Sequence, residues 1–112
     1  MDNFIICVIK DPGEQPIVAN IPNTGEALQK AVGGYYETLT ISSDLALLRN
    51  TDGFFMGLPR NHTVYGRPLF GSVAATGVDR DGCVASLTPD QIRIAMSLLR
   101  EPESDLQGGD KR

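Results

Sequence analysis

The sequence predicts an α+β domain: a mainly antiparallel sheet of five to seven strands with two helices, at about 23–32 and 88–100. Three observations carry that prediction. Short apolar runs rich in β-branched residues recur between turns built from Gly, Pro, Asn and Asp. Only two segments space their apolar residues at helical intervals. The chain has 112 residues, enough for one modest core and too few for two. Residues 1–100 are read as the domain and 101–112 as an acidic tail, expected to be disordered because charge, Pro and Gly displace every apolar face there.

Phe4 to Ile9 is an uninterrupted apolar run, the pattern of a buried strand. Asp11-Pro12-Gly13 turns it, and Pro16 to Ile21 returns as a shorter partner whose leading proline suits a strand start or an edge. Asn23 and Glu26 have the layout of a capping box, and Ala27, Leu28, Ala31 and Val32 share one helical face before Gly33 ends the helix. From Tyr36 to Ile41 apolar and polar residues alternate, then Leu45–Leu48 and Phe54–Leu58 follow across turns, which predicts a three-stranded meander over 35–58. Residues 59–68 hold two prolines and no period and read as a loop. Leu69 to Val78 reads as a strand weakened by glycine, and Cys83 to Leu87 as its partner across Asp79–Gly82. Thr88-Pro89-Asp90-Gln91 is the strongest local signal: a cap, a proline at the first helical position, an acid for the dipole and a Gln to close the box.

Composition excludes several function classes. Residues 1–100 carry ten acidic and eight basic side chains, and the last twelve carry four and two, so no basic field draws in nucleic acid. The longest apolar run, six residues, is too short to span a membrane, which points to a cytoplasmic protein with no membrane partner. Cys7 and Cys83 lie far apart in apolar contexts and are expected to be buried free thiols. One histidine and two separated cysteines cannot assemble the usual zinc set, and Asp79-x-Asp81-Gly82 lacks the remaining positions of a calcium loop. No metal and no cofactor is expected. Neither cysteine has the polar surroundings of an activated nucleophile, and phosphate-binding glycine loops and nucleophile elbows are absent, so the chain is not expected to be an enzyme.

One stretch carries surplus chemistry. Arg60, Asn61, His62 and Arg67 lie in the irregular segment, and two guanidiniums could grip a phosphate or carboxylate while Tyr35 or Tyr65 offers a stacking face. These six residues are the candidate ligand contacts. The competing reading is a solvated loop whose arginines maintain solubility.

The order Leu28-x-x-x-Val32-Gly33-Gly34-Tyr35-x-Glu37, then Leu45-Ala46-Leu47, Asn50-x-x-Gly53 and Gly57-Leu58-Pro59-x-Asn61, resembles a family of small domains of unknown function. Its members are carried by phages, plasmids and integrative elements of mainly Gram-positive bacteria. Gly71, Gly77-Val78-Asp79-x-Asp81-Gly82 and Ser86-Leu87-Thr88-x-x-Gln91 extend the similarity over roughly residues 3–100. The resemblance implies a mobile-element accessory protein and brings no catalytic residues. The expected function is therefore a non-catalytic binding protein that inhibits or modulates a host protein. An anion or nucleotide binder using the Arg60–Arg67 segment is the alternative, and an edge strand leaves room for a homodimer.

Overall fold

The computed structural model describes residues 4–101. In chain order the elements are β1 (Phe4–Lys10), β2 (Ile17–Pro22), α1 (Gly25–Val32), β3 (Tyr36–Ser42), β4 (Leu45–Asn50), β5 (Arg60–Val64), β6 (Arg67–Phe70), β7 (Val73–Val78), β8 (Val84–Ala85) and α2 (Pro89–Leu99). The main sheet is antiparallel throughout and runs β2-β1-β7-β4-β3, with β8 added to β7 as a sixth strand. Strands β5 and β6 form a separate two-stranded hairpin. The α+β class and the size of the main sheet agree with the sequence pattern.

The apolar run of β1 places it inside the sheet, between β2 and β7. Alternate residues of the central strands then serve two cores. On one face Val8, Leu45, Leu47, Val73 and Ala75 pack with Leu87, Ala95 and Leu99 from α2 and with Val64 and Leu69 from the small hairpin. On the other, Ile5, Leu48 and Ala74 pack with Leu28 and Val32 of α1. This double coverage explains why β4 and β7 are buried along nearly their whole length. N-terminal to Val8, β1 parts from β7 and the 84–87 segment fills the gap. There Leu87 N–H donates to Ile6 C=O (2.9 Å) and Ile6 N–H to Ser86 Oγ (2.7 Å).

Both helix ends follow local chemistry. Thr88 accepts from Gln91 N–H (3.2 Å) while the Gln91 side chain accepts from Thr88 N–H (2.9 Å), closing the expected box. For α1 the cap is Thr24 and not Asn23: its hydroxyl accepts from Ala27 N–H at 3.0 Å, which moves the helix start one residue on and leaves Glu26 as a first-turn acid. Gly33 ends α1 in the left-handed conformation, φ 83°.

Four expectations are corrected downstream of β4. Phe54–Leu58 is not a strand, so the meander has two strands. Residues 51–57 instead form successive turns, with Met56 N–H bonded to Asp52 C=O (2.8 Å) and Leu58 N–H to Gly53 C=O (3.0 Å). The supposed loop 59–68 contains β5 and the start of β6, joined at Tyr65 (φ 51°) and Gly66 (φ 78°), whose left-handed conformations match a tight hairpin turn. The strand drawn over 69–78 divides at Gly71, whose N–H turns away to Pro59 C=O (2.8 Å). Cys83 is also corrected: it is exposed in the turn before β8, while Cys7 is fully buried as expected.

Candidate functional site

The structure separates the six sequence-selected residues into two groups. Asn61 is buried and structural. Its Nδ2 donates to Lys10 C=O and to Gly71 C=O, both at 2.8 Å, and its Oδ1 accepts from Lys10 Nζ (3.0 Å) and from His62 N–H (2.7 Å). Lys10 is fully buried because its ammonium finds three acceptors: Asn61 Oδ1, Asp11 C=O (2.9 Å) and the Glu101 carboxylate (3.0 Å). All three of its protons are thereby satisfied, leaving none for a ligand. His62 Nδ1 lies 3.7 Å from the same carboxylate, and the Gln15 side chain pairs with the Glu101 backbone through both N–H and C=O (3.0 and 2.9 Å). Glu101, expected to begin the tail, is thus anchored; the remaining tail residues, 102–112, lie outside the described residues.

Arg60, Arg67, Tyr35 and Tyr65 are exposed. The Arg60 guanidinium donates to Thr63 Oγ1 (3.1 Å). Arg67 pairs with Val64, four positions beyond Arg60 on β5, so about 13 Å of strand lies between the two arginines' positions. They occupy opposite ends of the hairpin instead of forming one fork around an anion.

A feature the sequence reading missed lies beside them. Phe54, Phe55 and Met56 are consecutive and exposed by 66%, 86% and 56%. They sit on a loop fixed from below. The buried Asn50 side chain donates to Val32 C=O (3.1 Å) and accepts from Asp52 N–H (2.7 Å), tying the loop's start to the end of α1. Thr51 N–H donates to Tyr35 C=O (2.8 Å), bringing that exposed tyrosine's backbone to the same end. Gly53 lies so close to β6 that a Cβ there would meet Phe70 C=O at 2.6 Å, so only glycine permits the approach. Phe54 then contacts both Phe55 and Phe70 edge-on, at 5.5 and 5.3 Å between ring centres. Next to this loop is a cleft of about 180 Å³ walled by Phe54, Pro68 and Phe70 and floored by Arg49, Asn50 and Glu37. Its charges are self-neutralised, Arg49 and Glu37 lying 2.7 Å apart. The signal available in the sequence was the Phe-Phe-Met triplet directly after Asp52-Gly53, which strand periodicity concealed.

A second concavity, about 360 Å³, opens on the α1 side of the sheet between Thr38, Thr40, Leu48, Thr76 and Val84. It has no charged lining residue, and the Thr76 hydroxyl at its base is buried with no hydrogen-bond partner among the described residues.

Burial pushes the Cys7 thiol up to about 11, so it is protonated at neutral pH. Among the described residues no group of three His, Cys, Asp or Glu side chains is placed to hold a metal ion. No helix of the described residues is long and apolar enough to cross a membrane.

These features define an α+β domain with a hydrogen-bonded polar cluster around Lys10 and an apolar loop displayed at one end. The chain belongs to the DUF3846 family, a domain of unknown function, which it matches over residues 5–100. No curated protein and no solved structure matches it.

Proposed function

We propose that this protein is a non-catalytic binding protein of a phage or other mobile element, acting in the cytoplasm on a host protein. Its contact surface is the loop bearing Phe54, Phe55 and Met56, with Tyr35 beside it. The observation that carries this reading is the exposure of three successive large apolar side chains on a backbone held by hydrogen bonds and by the Gly53 approach to Phe70. Rigid presentation lowers the entropy lost on binding, and aromatic and Met side chains are those that dominate protein contacts. Both cysteines are free, as suits a reducing compartment.

The test is a comparison of immobilised wild-type protein with the double variant Phe55→Ser/Met56→Ser in bacterial lysate. A host protein retained by the first and lost by the second supports the reading. Equal retention by both, or retention by neither, sinks it.

A further inference from the structure

We infer that the outer edge of β3 pairs with the same edge of a second copy of this chain, joining two sheets through a two-fold axis at Leu39. The two ends of the main sheet are protected unequally. At one end β2 is bracketed by Pro16 and Pro22, and proline lacks the N–H an added strand would need. At the other end β3 has seven residues, no proline and one charge, Glu37, already paired with Arg49. Its one irregularity lies between Thr40 and Ser42, at the far end of the strand.

The hydrogen-bond parity of β3 says which groups the edge offers. Thr51 N–H donates to Tyr35 C=O, and the register runs unbroken from Tyr36↔Asn50 to Thr40↔Ala46. Bonded pairs alternate along an antiparallel ladder, so Tyr35, Glu37 and Leu39 direct their backbone groups to β4. Tyr36, Thr38 and Thr40 direct theirs outward. A two-fold axis at Leu39 brings the outward N–H and C=O of Thr38 against those of the second copy's Thr40, and the reverse by symmetry.

Side chains agree with that register. Leu39 meets the second copy's Leu39 on the face where Leu39 and Ile41 already flank the core. Thr38 meets Thr40 twice on the opposite face, a favourable cross-strand pair, and Glu37 stands opposite Ile41, so no like charges oppose each other. The contact is isologous and closes on itself, which is why a second copy fits better than an arbitrary extended peptide. It is small: below about 1,000 Å², such contacts are weak and transient.

Sedimentation equilibrium of the full chain up to about 0.5 mM, where millimolar association becomes measurable, tests the inference. The weight-average mass of the wild type is expected to rise with concentration, clearly above that of the monomer at the top of that range. Thr38→Lys/Thr40→Lys sets lysine against lysine at both Thr pairs and is expected to remain monomeric, as is Thr38→Glu/Thr40→Glu. An equal mixture of the two is expected to regain the dimer. Thr38 and Thr40 are both exposed, so the folded monomer has room for either side chain. Amide exchange in the wild type supplies a reading without substitutions: the Thr38 and Thr40 amides should gain protection as concentration rises. A wild type that stays monomeric overturns the inference. So does a dimer that survives in either double variant, a mixture that fails to associate, or protection at those amides that ignores concentration.

Discussion

The Lys10 ammonium and the Phe55 ring occupy each other's customary places. Lys10 is wholly inside, and Phe55 is the most exposed large apolar side chain among the described residues, at 86%. The buried cation belongs to a region that is complete: Asn61, Asp11 and Glu101 accept its three protons, and Gln15 secures Glu101 in turn. The exposed aromatic belongs to a region whose backbone is complete and whose side chains are not, since Asn50 and Gly53 fix the loop while Phe55 and Met56 meet solvent. Burial therefore tracks satisfied partners better than polarity here. The first region holds the fold together; the second leaves its apolar side chains to solvent.

That contrast can be broken or sharpened by substitution. The largest effect is expected at Lys10→Ala, which strands the Glu101 carboxylate and an acceptor on Asn61. Removing one member of a buried pair costs about 3–5 kcal/mol, and urea denaturation would measure it. A loss as small as that of a surface change would mean that solvent reaches the cluster and the contrast is false.

Cys7 sharpens the same point from the other face of the sheet, because it is buried without a charged partner and so stays neutral. Its thiol is pushed up to about 11 from an ordinary 9.0. The folded state holds that proton more tightly, so the contribution to stability is full below the ordinary value and is lost as pH climbs from there toward the folded-state value. Wild-type stability should fall between about pH 9 and about pH 11 more steeply than that of Cys7→Ala, by at most ~1.4 kcal/mol per pH unit. Parallel profiles for the two proteins would contradict it.

Asn50→Ala should cost about 1–3 kcal/mol, because Val32 C=O and Asp52 N–H both lose their partner. Its signature is local: faster amide exchange through residues 51–58 while the cluster around Lys10 keeps its protection. Smallest of all, Phe55→Ser/Met56→Ser should shift the thermal midpoint by an amount equivalent to less than about 0.5 kcal/mol. A large destabilisation there would show that the exposed loop supports the fold after all.

How much of this the sequence disclosed depends on how far apart the interacting residues are. The Thr88–Gln91 box lies within one turn of chain and was legible in full, as was the apolar run of β1. The start of α1 was displaced by one residue because Asn23 and Thr24 are both good caps, and only the bond to Ala27 N–H distinguishes them. Phe54–Leu58 has strand composition, yet Asn50, anchored on Val32, and Gly53, pressed against Phe70, curl that segment. The 60–70 hairpin was hidden by Pro68, which a two-stranded hairpin tolerates and a central strand would not.

The candidate site shows the same division. Arg60, Arg67, Tyr35 and Tyr65 were identifiable as exposed chemistry, but Asn61 was indistinguishable from them until Lys10, 51 residues away, arrived beside it. The sequence by itself determined the α+β class, the strong helix cap and the buried first strand, because periodicity and capping act between near neighbours. Tertiary structure alone decided which charge went inside, which aromatics stayed outside and which sheet edge was left open. Those outcomes depend on partners brought together only when the chain closes on itself.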